Sequence, residues 1–358
     1  MARYKRLRSS LKPSKVEVNL RAIPVLSGQG WKLHSTTEWQ LIGAAPKGYL
    51  AFGDPERPET VGFIAKKGRI FGVRECVTEE IISQIGRMLP LRVARSLLVR
   101  LPPARGERKA SPGTLPDVRF MSRNFLRRGQ QAMLHGIEVV AEYLDADQQE
   151  VNEVFNLTNR REERRFYTVD LVVDVLRWWG RNATEKQALV DGLGRMLAFD
   201  ALVGAPDRHA LNWAVLQDLS DPSAPRRFAP VFDTARRLFG DHDDAKLRSV
   251  AEQGSKRIHS HIETYANKSK PVFGCQEREA GDKVNHFELI EYSVTRLHDD
   301  LAVPMRHIIN SFSHADVHRM LVRRFRRVIS SLRLDFISEL LRFRSDRLKI
   351  VVQKRPRT

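Results

Sequence analysis

Cysteine is nearly absent from this chain of 358 residues: Cys76 and Cys275, about two hundred positions apart, are the only two. That excludes a disulfide framework and a Cys-x-x-Cys zinc knuckle, and it leads us to expect a reducing, cytoplasmic compartment. Long apolar runs are missing too. The opening Met1-Ala-Arg-Tyr-Lys-Arg-Leu-Arg8 is basic, but no run of seven or more apolar residues follows it, which argues against a secretory signal. No stretch approaches the roughly eighteen apolar residues of a membrane-spanning helix, so no membrane partner is expected. Neither a repeat of fixed period nor a low-complexity segment divides the chain. What remains, with 42% hydrophobic and 29% charged residues, is the composition of a folded protein with one large or two modest domains.

Acid is scarce at both ends. Residues 1–15 hold six Lys/Arg and no Asp or Glu, and residues 319–358 hold thirteen Lys/Arg against Asp335, Glu339 and Asp346. These two segments carry nearly all of the formal net charge of +18. A polyanion such as RNA or DNA, or an acidic protein surface, would match segments 1–15 and 319–357; solvated helix faces would explain them equally well.

Short apolar runs punctuated by Gly and Pro predict strands at Val16–Leu20, Gly48–Gly53, Val61–Lys67, Val93–Leu101 and Val118–Phe125. A helix is predicted from Thr78, as N-cap, to Leu89, with Pro90 stopping it. From about residue 130 the spacing becomes helical: Ile137–Leu144, Tyr167–Trp178, Glu185–Leu202, Val284–Leu301, and two basic helices near 315–333 and 335–350. On the first of these two, Val317, Met320, Leu321, Phe325, Val328, Ile329 and Leu332 form an apolar stripe, with Arg319, Arg323, Arg326, Arg327 and Arg333 on the other faces. Strands followed by helices, with one hairpin inside the helical half, predict a two-lobed α+β fold.

The strongest chemical signal is Asp200-Ala-Leu-Val-Gly-Ala-Pro-Asp207-Arg-His209-Ala-Leu-Asn212-Trp. Gly204 and Pro206 end a helix and a strand begins near Trp213, which sets Asp207, His209 and Asn212 on a tight loop between rigid elements. Asp207 and Asn212 have the spacing of the base and metal ligand in a protein-kinase catalytic loop. Downstream, Arg226-Arg-Phe-Ala-Pro-Val-Phe-Asp233 reads as a strand ending in a carboxylate; the hairpin turn at Leu219–Pro225 would bring Asp233 beside Asn212, two oxygen donors suited to Mg²⁺. The strand ending in Lys66-Lys67 offers a cation for nucleotide phosphates, with Glu79 or Glu80 on the next helix as its partner. Alternation puts Lys66 with Gly62 and Ile64 on one face and Lys67 with Phe63 and Ala65 on the other, and we prefer Lys66. Gly53–Gly62 could close over phosphates as a loop, although it lacks Gly-x-Gly-x-x-Gly.

With these residues in place the sequence resembles the HipA-type serine/threonine kinases, whose catalytic loop reads Asp-Arg-His-x-x-Asn and whose metal-binding Asp follows an apolar strand. Phe120-Met-Ser-Arg-Asn-Phe-Leu126, His135-Gly136, Phe166-Tyr-Thr-Val-Asp-Leu-Val and Asp233-Thr-Ala-Arg-Arg-Leu-Phe extend the likeness over roughly residues 48–300. The resemblance implies a protein-kinase-like fold with a β-rich N-lobe, a mostly helical C-lobe, and ATP and Mg²⁺ between them. It implies Asp207 as catalytic base, His209 as a structural member of the loop, Asn212 and Asp233 as Mg²⁺ ligands, and Lys66, held by Glu79, as the phosphate-binding lysine. It further implies a toxin that phosphorylates a translation-related protein and is restrained by a DNA-binding antitoxin. Three departures accompany it: the family's extra N-terminal subdomain is absent or reduced, residues 53–62 contain Thr60 but no serine, and the arginine-rich C-terminal helices are not part of the pattern. The expected division is a basic tail over 1–15, an N-lobe over 16–135, a catalytic C-lobe over 136–315 and C-terminal helices over 316–358. Two other readings stand beside a protein kinase: nucleotidyl transfer on the same fold, and a weakly catalytic scaffold that binds nucleic acid or an acidic partner through its ends.

Overall fold

A computed structural model describes residues 17–26, 31–34, 47–52, 62–102, 117–127, 129–155, 166–234, 238–276, 284–297 and 299–354. The basic tail 1–15 and the phosphate-loop candidate from Gly53 to Val61 lie outside them.

The N-terminal region is an antiparallel sheet of β1 (Trp31–His34), β2 (Lys47–Phe52), β3 (Gly62–Lys66), β4 (Ser96–Arg100) and β5 (Val118–Arg123), in the order β1-β2-β3-β5-β4. The middle position of β3 buries its end, and Lys66 stands across from Lys47 on one side and Phe120 on the other. Helix α1 (Val73–Gly86) packs on β4 and β5 through Cys76, Ile81, Ile82 and Ile85. It begins one turn and a half before the expected Thr78. The start follows Gly72, whose φ of 56° turns the chain into the helix, and the Thr78 hydroxyl donates to the Arg74 carbonyl at 2.8 Å from inside it. The expected strand at 16–20 reduces to a bridge between Val18 and Ile329 followed by a 3₁₀ turn over Leu20–Ala22.

The second region opens with β6 (Gln131–His135), which pairs with β7 (Ala214–Asp218), itself paired with the two-residue β8 (Arg227–Phe228). Pro230 has no N–H to extend β8; Val231 turns instead to the N-terminal region, its N–H donating to Arg92 O at 2.7 Å. Around this small sheet lie α2 (Gly136–Leu144), α3 (Gln148–Phe155), α4 (Val169–Trp179), α5 (Ala183–Val203), α6 (Asp244–Glu252), α7 (Ser255–Lys268), α8 (His286–Arg296), α9 (Asp299–Ser311), α10 (His314–Phe325) and α11 (Ser331–Val352). The long helix expected over 284–301 is two, α8 and α9. Within α9, Pro304 cannot donate to the carbonyl of Asp300, which instead accepts from Gln187 Nε2 at 3.2 Å.

Helix α5 is the axis of this region: Leu189, Val190, Leu193, Met196, Leu197, Phe199 and Leu202 are buried around it, as expected for a helix enclosed by others. Its C-terminus is capped by Gly204 at φ 73°, and the buried Arg344 of α11 donates to Ala201 O at 2.7 Å and Ala266 O at 2.9 Å, placing a cation at the negative ends of α5 and α7. The stripe from Val317 to Leu332 is buried as expected, and Arg319, Arg323, Arg326 and Arg327 are exposed; Arg333 is not. It is buried because it donates to Glu17, Asp244 and the carbonyls of Phe239 and His242.

The catalytic-loop candidate is seated by one glycine. A Cβ at Gly136 would stand 2.1 Å from the Trp213 ring, which stacks on Phe228 and donates to Tyr167 Oη at 2.5 Å. Gly136→Ala should therefore lower stability by about 1–3 kcal/mol, read as a fall in the urea midpoint; an unchanged midpoint would mean that the ring has room to move.

Candidate active site

Lys66 is the meeting point of the two regions. Its Nζ lies 2.9 Å from Glu79 Oε1 on α1 and 2.9 Å from Asp233 Oδ1 beyond β8, with its side chain only 10% exposed. Burial by itself disfavours the ammonium, but Asp233 and then Glu79 outweigh it and raise the lysine above its ordinary value. Burial would likewise raise Asp233; the charge and hydrogen bond of Lys66, with Lys47 and Arg208 behind them, hold its carboxyl at about 2. Glu79 moves upward because burial there exceeds the pull of Lys66 and Asp233 adds repulsion. The geometry separates the alternatives left open by sequence. Lys67 is 56% exposed and 3.7 Å from Asp117, and Glu80 accepts from Gln84 Nε2 at 2.6 Å inside the N-terminal region.

Arg208 is a second buried cation. Its Nε and Nη2 donate to both oxygens of Asp200, each at 2.8 Å, while Nη1 donates to Asn212 O at 2.6 Å and Phe232 O at 2.7 Å. One planar fork therefore ties the last turns of α5, the end of the Asp207–Asn212 loop and the residue before Asp233. Within the loop, Asn212 Nδ2 donates to Asp207 O at 2.6 Å and lies 3.1 Å from His209 Nε2. With the amide nitrogen so engaged, Oδ1 is the atom of Asn212 suited to a cation. Asp233 adopts φ 52°, in the left-handed region uncommon for a residue with a side chain, and Val231 forms a parallel bridge with Val93 that anchors this turn to the N-terminal region.

The structure thus gathers Lys66, Glu79 and Asp233 by direct contact, and Asp207, His209 and Asn212 by the loop's own bonds, with Arg208 linking the two groups. It adds residues to which sequence reading assigns no role in the site. Asp200 and Arg208 carried a signal in the same motif, an acid one turn before a helix end and an arginine inside the loop. Lys47 carried none: only its register opposite Lys66 places it where Asp233 acts on it. His135, at the end of β6, lies 2.9 Å from Leu211 O through Nδ1 and is kept below its ordinary value chiefly by burial.

No protein-family model and no curated protein matches the chain in sequence. Among solved structures it is similar to the Helicobacter pylori proinflammatory kinase CtkA, at 14% identity and a TM-score of 0.63 over 92% of this chain and 97% of that one. It also aligns with Shewanella oneidensis HipA, solved as a toxin–antitoxin complex with HipB and operator DNA, at 11% identity and a TM-score of 0.43 over 98% and 78%. The fold is kinase-like, as in that Helicobacter structure: an antiparallel, β-rich N-terminal region followed by a mostly helical C-terminal region. Among the described residues no helix is long and apolar enough to cross a membrane.

Two measurements test the electrostatics. Arg208→Met leaves the buried Asp200 carboxylate without its partner and should cost about 3–5 kcal/mol, part of which the double variant Asp200→Asn/Arg208→Met recovers; equal losses in the single and double variants would remove the charge argument. A depressed carboxyl stabilises the fold above its unfolded value and loses that contribution as pH falls through its folded value. The contribution of Asp233 is therefore full above its ordinary 3.8 and disappears near 2. The gap in urea midpoint between wild type and Asp233→Asn should close over that interval, and a constant gap would rule out the ion pair as its source.

Proposed function

We propose that the protein is an ATP- and Mg²⁺-dependent kinase that passes the γ-phosphoryl group to a serine or threonine hydroxyl of a protein substrate. The observation that carries this reading is the placement of Lys66 between Glu79 and Asp233 while Arg208 ties the Asp207–Asn212 loop to the same turn. Phosphoryl transfer asks a protein mainly for positioning and charge, and these residues supply both.

The donor set fits the groups such a reaction uses. Asn212 Oδ1 and the Asp233 carboxylate are hard oxygen ligands that would hold Mg²⁺; Lys66 would hold nucleotide phosphates, with Lys47 as a second cation nearby. Bound Mg²⁺ supplies neutralisation of the phosphate oxygens as charge shifts among them. Glu79 fixes the lysine's direction. Asp207 orients the substrate hydroxyl and accepts its proton, and His209, through Asn212, keeps the loop in shape. Arg208 acts as a positioning residue, since its bonds go to backbone and to Asp200.

The test is incubation of purified wild type, Asp207→Ala and Asp233→Ala with Mg²⁺ and ATP labelled at either the γ or the α phosphate, with and without cell extract. Transfer of γ label by wild type, reduced on the order of 10²–10⁴-fold by Asp207→Ala and abolished by Asp233→Ala, is the expected result. Transfer of α label would replace kinase with nucleotidyl transferase, and equal labelling by all three proteins would overturn the site.

A further inference from the structure

The structure divides the basic C-terminal segment into two kinds of arginine. Those of α11 serve the fold: Arg333 and Arg344 are buried on carbonyls and carboxylates, Arg342 is paired with Glu339, and Arg347 donates to Asn267 and lies over the Phe287 ring. Those of α10 and its following turn do not. Arg319, Arg323, Arg324, Arg326 and Arg327 are exposed, and Arg319, Arg323 and Arg326 follow one another at helical spacing along one face. Arg323 and Arg324 in the last turn suit the helix dipole and Arg319 pairs with Asp316, which leaves Arg326 and Arg327 without a structural reason.

Two neighbours adjoin this charge. Arg87, exposed at the end of α1, and Arg324 both act electrostatically on Glu80, so the two guanidinium groups lie within reach of one buried carboxyl. Val18 pairs with Ile329 and Asn19 N–H donates to Val328 O at 2.7 Å, so the described chain enters directly beside the Arg326–Arg327 turn. The acids close to this surface are engaged or buried: Glu17 is taken by Arg74 and Arg333, Asp316 by Arg319, and Glu80 is buried with its carboxyl pushed up by that burial.

We infer that the α10 face, with Arg87 beside it, binds the phosphate backbone of a nucleic acid, a function separate from phosphoryl transfer. The positive charges on the folded face are all guanidinium, which fits phosphate with two parallel hydrogen bonds. The apolar side chains of α10 are turned inward: among the described residues none of the large exposed hydrophobics lies between residues 313 and 330, and Met88 is the one that adjoins a residue of this face, Arg87, in sequence. A protein partner would ordinarily require such an apolar anchor at the centre of its contact; a polyphosphate does not. DNA and RNA share this chemistry, and the surface as described reads backbone charge and not base sequence.

The test uses the full-length protein with a labelled 20-base-pair DNA duplex and a 20-nucleotide RNA, followed by anisotropy between 50 and 200 mM NaCl. Wild type should bind at least one of them with an affinity that falls steeply with salt, a slope of log K on log salt near −0.9 per phosphate contacted on duplex DNA and near −0.7 on a single strand. Replacing Arg319, Arg323, Arg326 and Arg327 together by Gln should weaken binding at least tenfold and shallow the slope by about three to four, while the urea midpoint and phosphoryl transfer stay at wild-type level. The corresponding Lys variant should restore most of the slope, and Asp207→Ala should bind as wild type does. Unaltered binding in the Gln variant would overturn the inference. So would binding of a polyglutamate peptide in preference to both nucleic acids, which would assign the face to an acidic protein.

Discussion

Everything that could be an active site here depends on a buried ammonium shared by two carboxylates. Lys66 comes from the middle strand of the first sheet, Glu79 from the helix packed on that sheet, and Asp233 from the second region. Taken out of water alone, each of the three would be strongly disfavoured, and together they are tolerable only while the geometry holds. The arrangement is therefore a register device between the regions as much as a chemical group. A shift of β3 by one residue that brought Ala65 to the centre would leave Glu79 and Asp233 facing each other with no cation between them. Arg208 repeats the principle on the other side, with one guanidinium reconciling a helix end, a loop and a turn through four hydrogen bonds. Buried side-chain charge thus takes over from continuous sheet at the junction, where Pro230 ends β8 before it can carry the chain to Asp233.

Legibility from sequence followed the length scale of the signal. The strands around Lys66 were readable because short apolar runs bounded by Gly and Pro match strands buried on both faces, and α5 because its apolar residues recur over twenty-one positions. The Asp207-x-x-x-x-Asn212 spacing was readable because a tight loop leaves little freedom over five residues. What failed was local and conformational. Thr78 looks like an N-cap, but the turn that starts α1 is made by Gly72 and by Glu75 accepting from the amides of Arg69 and Ile70. Helices α6 and α7 escaped the pattern because charged residues surround narrow stripes; in α7 the stripe is only Ile258, Ile262 and Ala266. The burial of Arg333 could not be read at all, since its partners Glu17, Phe239, His242 and Asp244 lie far from it in sequence.

The two cysteines illustrate the opposite case, where composition alone suffices. Both are buried, and burial raises the Cys76 thiol to about 11, so Cys76 is not a nucleophile near neutral pH. The candidate site is built from oxygen and nitrogen groups, in keeping with the phosphoryl transfer proposed above.

The clasp between Glu17 and Arg333 bears on how the molecule is made. The two residues are 316 positions apart, and Arg333 also grips the Phe239 and His242 carbonyls in the segment that follows Asp233. A ribosome adding roughly 5–20 residues per second takes on the order of 15–60 seconds to travel from one to the other. Until α11 leaves the exit tunnel, the N-terminal segment has no docking strand at Ile329 and the segment after Asp233 has no Arg333. A nascent chain that has not yet reached residue 333 cannot make this closure, so the contact joining the two distant segments is among the last the chain can form.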